Sequence, residues 1–264
     1  MLSLRYALRD MRGAFKSLRI VLMCLVLGVG AISAVQFTSR AVLDGIDENG
    51  RTILGADMIL RNIYAPADKE LRGWFEERGA QMIETIEARV MLANPETDDS
   101  SLIELKAVPA GYPLYGQFES DDGADIQATL DGQGIILDSA LRGRLQLEKG
   151  DKARLGDALF TVRGFIVTEP DRAGGSRFGL APRVFVSAKD MDATNLLQTG
   201  SMVYYDLRVK LPEGVDLAQT VEDLKNDFPD ATWKVSHADN ASPQVSRFVT
   251  RLMLFLTLVG LSAL

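Results

Sequence analysis

The chain has 264 residues, 47% of them hydrophobic, and a formal net charge of -7. That apolar content over this length supports a real core in one large or two small domains and excludes a disordered chain; the acidic balance excludes nucleic acid as the main partner, because binding phosphate takes a basic face. Cys24 and His237 are the only cysteine and histidine, so an intrachain disulfide, a thiolate metal site and a His-rich zinc site are all excluded.

The charge is segregated along the chain. Residues 1–19 hold Arg5, Arg9, Arg12, Lys16 and Arg19 against Asp10 alone, whereas the segment from Arg40 to Arg247 is strongly acidic. Leu4, Leu8, Met11, Phe15 and Leu18 recur at helical spacing, and the five cations repeat that period one position on. This predicts an amphipathic basic helix over 1–19, lying on the cytoplasmic bilayer surface or against a partner. Read more simply, the same cations are only a topology signal.

From Ile20 to Ser39 the chain is free of formal charge and is bracketed by Arg19 and Arg40. A hydrocarbon core about 30 Å thick takes roughly 20 helical residues to cross, so 20–39 is expected to be a transmembrane helix. The rival reading is a cleaved signal peptide, with Ala31, Ser33 and Ala34 as its small residues. The basic flank puts the N-terminus in the cytoplasm and residues 40–247 outside, in the periplasm of a Gram-negative cell. From Leu252 to Leu264 the chain is again uncharged but too short to span, so 248–264 reads as the start of a second transmembrane helix.

Between these segments the pattern alternates strands and helices punctuated by Gly, Pro and Asp. Strands are predicted at Asp57–Ile63, Gln81–Ala93, Leu102–Pro109, Gly134–Leu137, Arg183–Ser187, Met202–Leu211 and Ala231–Val235. Helices are predicted at Pro66–Arg78, Ser139–Leu145, Lys189–Leu197 and Leu217–Asp227. Leu155 and Ala158–Thr168 form a hairpin turning at Gly156 and Asp157. The fold class expected is α+β: a membrane-anchored, two-lobed extracytoplasmic domain.

No catalytic arrangement emerges. The phosphate-cradling Gly-x-x-x-x-Gly-Lys-Ser/Thr pattern is absent, so the chain has no P-loop for ATP. His237, in VSHADN, has no nucleophile elbow near it. Asp98 with Asp99, and Asp121 with Asp122, lack the spacing of a calcium loop and read as solvated loop charges. Gly174 and Gly175 beside Arg172 and Arg177 read as a mobile loop rather than an anion nest. Trp74 and Phe75 read as core. No cofactor, metal or catalytic residue is assigned.

Several segments taken together resemble FtsX-like permeases of ABC transporters. They are the basic start running into the apolar segment, LGADMIL (Leu54 to Leu60), GIILDSALRGRLQLEKGD (Gly134 to Asp151) with the following TVRGFI, APRVFVS (Ala181 to Ser187) and VSRFVTRLMLFLTLVGLSAL at the end. They look most like the YbbP-like permeases, whose first extracytoplasmic domain is of the MacB periplasmic core type. The resemblance implies a non-enzymatic inner-membrane permease subunit, multi-pass in full, without a substrate pore. A separate cytoplasmic P-loop ATPase would bind ATP and drive the periplasmic domain by mechanotransmission, for export or extraction of lipid, lipoprotein or peptide cargo. The alternatives are the sensor module of a signalling receptor, which shares this order of segments, and a membrane-anchored enzyme.

Overall fold

The computed structural model describes residues 54–172 and 181–237 apart from 199, with isolated positions between 19 and 52 and at 251 and 255. It divides into two units, residues 1–48 with 242–264, and residues 49–241. In the first unit the described positions, among them Arg19, Leu22, Val26, Phe37 and Phe255, are helical and exposed. No helix among the described residues is long and apolar enough to cross a membrane. The spans expected at 20–39 and from 252 lie largely outside the described residues, as do Arg5, Arg9, Arg12 and Lys16 of the basic stripe.

The second unit is α+β. Strand β1 (Met58–Ile63) leads through Tyr64 and Pro66 to helix α1 (Lys69–Glu77), whose N-cap Asp68 accepts a hydrogen bond from the Leu71 amide at 2.7 Å. Then come β2 (Gln81–Ala93), β3 (Ser100–Val108), a two-residue β4 (Glu119–Ser120) and a short α2 (Ile126–Leu130). Next are β5 (Gly134–Leu137), α3 (Ala140–Leu145), β6 (Lys152–Leu155) and β7 (Ala158–Thr168). The chain finishes with β8 (Arg183–Ser187), β9 (Val203–Lys210), α4 (Leu217–Asp227) and β10 (Lys234–His237).

One sheet in the order β10-β1-β9-β2-β3-β8-β5-β7-β4 carries all of this, and β6 pairs with both β2 and β7. That double pairing closes β2, β3, β8, β5, β7 and β6 into a small barrel. Its interior is filled by Leu92, Ile103, Leu105, Ile135, Leu137, Leu155, Phe160, Val162, Val184 and Val186. The second lobe is the open end β10-β1-β9-β2, with α1 and α4 against one face around Met58, Leu60, Leu71, Phe75, Leu207, Val209 and Leu224. The thirteen-residue β2 serves both lobes. Residues 81–88 pair with β9 and residues 86–93 with β3.

Three expectations change. Lys189–Leu197 is not an α-helix but two 3-10 turns, Ala188–Asp190 and Asp192–Thr194, ended by left-handed Asn195. The polar side chains take over the local backbone there: Ser187 Oγ accepts from the Lys189 amide and Thr194 Oγ1 donates to the Met191 carbonyl. The last strand lies at Lys234–His237 rather than Ala231–Val235, because its register is set by pairing with Arg61 through Met58. Finally, β4 and α2 arise inside a stretch without apolar periodicity, α2 being started by Asp125, which caps the Gln127 and Ala128 amides.

Candidate functional site

The seam between the lobes holds a buried ionic belt. Strand alternation puts Leu207 and Val209 on the helix-covered face, so Asp206 and Arg208 point to the other side. On that side they meet Arg61 of β1, Thr85 and Glu87 of β2, Glu104 and Lys106 of β3, Arg183 of β8, and Glu169 and Asp171 from the connection after β7. Arg61 forms a two-pronged pair with Asp206 and reaches Glu87 at 3.3 Å. Arg208 contacts Asp171 at 2.7 Å and Glu87 at 3.5 Å, and donates to Thr85 Oγ1 at 3.2 Å. Lys106 Nζ donates to Asp171 at 2.5 Å and to the Tyr112 hydroxyl at 3.1 Å, and Tyr112 donates in turn to Asp171 at 2.9 Å. Arg183 pairs with Glu104 at 3.0 Å and closely with Glu169.

Five carboxylates therefore face four cations among the described residues, and burial and pairing shift their titration. Burial alone would raise Asp171, but Arg208 and Lys106 outweigh it and hold this carboxyl well below its usual range. Burial pushes Asp206 up to about 6, helped by Glu87 and opposed by Arg61 and Arg208. Glu169 is raised by burial too, and its Oε2 has no hydrogen-bond partner among the described residues. Lys106 is lowered by burial, with Asp171 opposing. Such a belt contributes little net stability over an apolar seam, but removing one member strands the others.

The belt is also tied to the segment by which the chain comes into the domain. Arg208 Nη1 donates to the Leu54 carbonyl at 2.9 Å. Gly55 makes this approach possible. Its φ is +70°, and an added Cβ would sit 3.1 Å from Asp171 Cβ and 3.2 Å from Arg208 Nη1. Next along, Asp57 is buried and accepts from the Leu211 amide at 2.8 Å and the Tyr115 hydroxyl at 3.0 Å, while Arg51 pairs with its other oxygen at 2.8 Å. The LGAD run is thus the point where the incoming chain locks onto both β9 and the connection at 169–171.

None of these belt residues stands out in the sequence as a site, since those on β1, β2, β3 and β9 read as polar positions of strands and Glu169 and Asp171 as loop charges. The available signal was complementary sign: Glu104 and Lys106, and Asp206 and Arg208, alternate along β3 and β9, the two strands that flank β2. Of the residues that sequence reading did single out, Arg19 is helical and exposed. Phe75 is buried, and half-buried Trp74 donates Nε1 to Asp227 at 2.7 Å. Asp121 and Asp122 are exposed, and each also makes local bonds. Asp121 accepts from the Phe165 amide at 2.9 Å and pairs with Lys149 at 3.0 Å, and Asp122 accepts from Ser120 and the Ala124 amide, fixing the β4 turn. Arg172 pairs with Asp138 at 3.0 Å, whereas Gly174, Gly175 and Arg177 lie outside the described residues. His237 closes β10, opposite Met58.

Comparison with known proteins adds the family. The family of MacB-like periplasmic core domains matches residues 20–227. This chain belongs to it. An ABC transporter permease of Escherichia coli K12, YbbP, itself uncharacterised, is 30% identical over 192 residues, covering 71% of this chain. The chain spans only 22% of that relative's length. Among solved structures, the periplasmic region of MacB from Actinobacillus actinomycetemcomitans is similar with a TM-score of 0.47 at 14% identity, covering 76% of this chain and 97% of that one. The extracellular domain of the noncanonic ABC-type transporter YknZ from Gram-positive bacteria gives 0.46 at 15% identity, covering 68% of this chain and all of that one. Within the MacB-like core domain, then, the belt is a lobe-to-lobe junction built on the incoming segment.

Proposed function

We propose that this MacB-like core domain is the periplasmic part of an ABC-type permease subunit that converts ATP hydrolysis by a separate cytoplasmic ATPase into movement of its two lobes. The observation that carries the reading is where the chain comes in and leaves. Met58, at the start of β1, pairs directly with His237, at the end of β10, so both connections to the apolar segments attach at one end of one strand pair. Force delivered there reaches Arg61 and, through Leu54, Arg208, and from them the belt that joins β1, β9, β2, β3 and β8.

On this reading the subunit is not an enzyme, and Arg5, Arg9, Arg12, Lys16 and Arg19 lie along the inner membrane surface, beside the ATPase. The domain would act on a periplasmic client or on lipid, lipoprotein or peptide cargo. The family assignment does not favour the sensor reading. The test is affinity purification of the full-length protein from native membranes, with mass spectrometry of what accompanies it. A P-loop ATPase in stoichiometric amount is the expected result; a kinase or response regulator in its place would overturn the proposal.

A further inference from the structure

A second feature lies at the end of the sheet where the chain comes in. Arg51, Asp57, Tyr115 and Lys210 line a cleft of about 370 Å³ together with Leu211, Pro212, Val215 and Leu217. The polar lining carries two cations, the buried carboxylate of Asp57 and the exposed one of Glu213. One Asp57 oxygen accepts from Tyr115 and the Leu211 amide and the other lies 2.8 Å from Arg51 Nε, while the Arg51 side chain is 60% exposed and has no other ion pair among the described residues. The Lys210 ammonium stands 4.8 Å over the Tyr115 ring and has no carboxylate partner among the described residues. Tyr115 is pushed up to about 12 by burial and by its bond to Asp57, so it stays neutral. The apolar side opens to solvent at Val215, which is 42% exposed.

We infer that this cleft seats the phosphodiester headgroup of a glycerophospholipid. Arg51 and Lys210 would neutralise the phosphate, with the guanidinium giving paired hydrogen bonds and the ammonium a point charge. Val215 and Leu217 would cover the glycerol and the first methylenes of an acyl chain. Two observations favour a lipid over free phosphate. The lining is amphipathic, which a bare anion does not require, and the uncharged run that ends at Ser39 precedes Arg51 closely in the chain. Glu213, also in the lining, suits a headgroup carrying an ammonium or hydroxyls. The inference rests on membrane attachment through 20–39 and is independent of coupling to an ATPase.

The test is calorimetric titration of the full chain, in a maltoside detergent, with dihexanoyl phosphatidylethanolamine, dihexanoyl phosphatidylglycerol and, separately, inorganic phosphate. Saturable binding of at least one lipid is expected, weakened about tenfold or more in Arg51→Gln/Lys210→Gln. Val215→Asp, which leaves both cations in place, should weaken lipid but not phosphate. Since Arg51 also pairs with Asp57, Lys210→Gln alone serves if the double variant fails to fold. Phosphate binding as tightly as lipid would overturn the lipid assignment. Undetectable lipid binding, or binding indifferent to these variants, would overturn the site itself, while leaving ATPase co-purification free to succeed or fail separately.

Discussion

Replacing Asp171 by Asn keeps the shape of the side chain and removes the charge that Lys106 and Arg208 share. Their remaining carboxylates, Glu169 and Glu87, stand at 3.5 Å, against 2.5 and 2.7 Å to Asp171. Two cations would be left largely uncompensated in a seam where Lys106 is 1% and Arg208 3% exposed. Losing one partner of a buried pair costs about 3–5 kcal/mol, which for a domain of this size lowers Tm by roughly 6–20 °C. Because Asp171 is held well below the usual carboxylate range, its stabilising contribution is present above its unfolded pKa and is lost only as pH falls through the folded one. The deficit should therefore stay constant from about pH 5 to about pH 8. Urea denaturation of Asp171→Asn, Lys106→Met and the double variant measures it. The double variant should be more stable than the sum of the single losses predicts, by about 1 kcal/mol or more. Single losses below about 1 kcal/mol, or strict additivity, would refute the claim that the belt is a mutually dependent network.

Asp206 behaves in the opposite sense. Its folded pKa is raised to about 6, so its contribution to stability is complete below its unfolded pKa and is lost as pH rises through 6; Asp206→Asn should flatten that part of the stability profile in thermal melts at stepped pH. Phe75 is fully buried in the second lobe, and Phe75→Ala should cost about 3–5 kcal/mol by urea titration. Gly156→Ala should cost about 2–3 kcal/mol, since φ is +58° and the new Cβ would lie 2.0 Å from the Thr194 carbonyl oxygen. At Gly123, with φ +67° and open space around it, the same change should cost only about 1 kcal/mol, and equal losses at the two sites would remove the steric explanation.

The local elements were legible because local chemistry makes them. The alternation of β2, the short apolar runs of β5 and β8, the Gly156-Asp157 turn, and Asp68 and Asp216 capping α1 and α4 are short-range features that tertiary packing left intact. The family was legible for the same reason, since its segments keep their order. The Lys189–Leu197 stretch failed as a helix because side-chain bonds to nearby backbone competed with it.

What the tertiary structure alone decided is which polar residues meet. Glu87, Lys106, Asp206 and Arg208 are all at polar positions of alternating strands, and alternation by itself assigns such positions to water. They are buried because Leu54 and Ala56, Tyr112 and the connection at 169–171 cover that face of the sheet. The pairings that bring them together are long-range: β1 with β9, β2 with β9, and β3 in parallel with β8. Hydrophobic periodicity fixes which face of a strand is apolar, but partner and register are set by packing between segments far apart in the chain, as Arg61 and Asp206 are, 145 positions from one another.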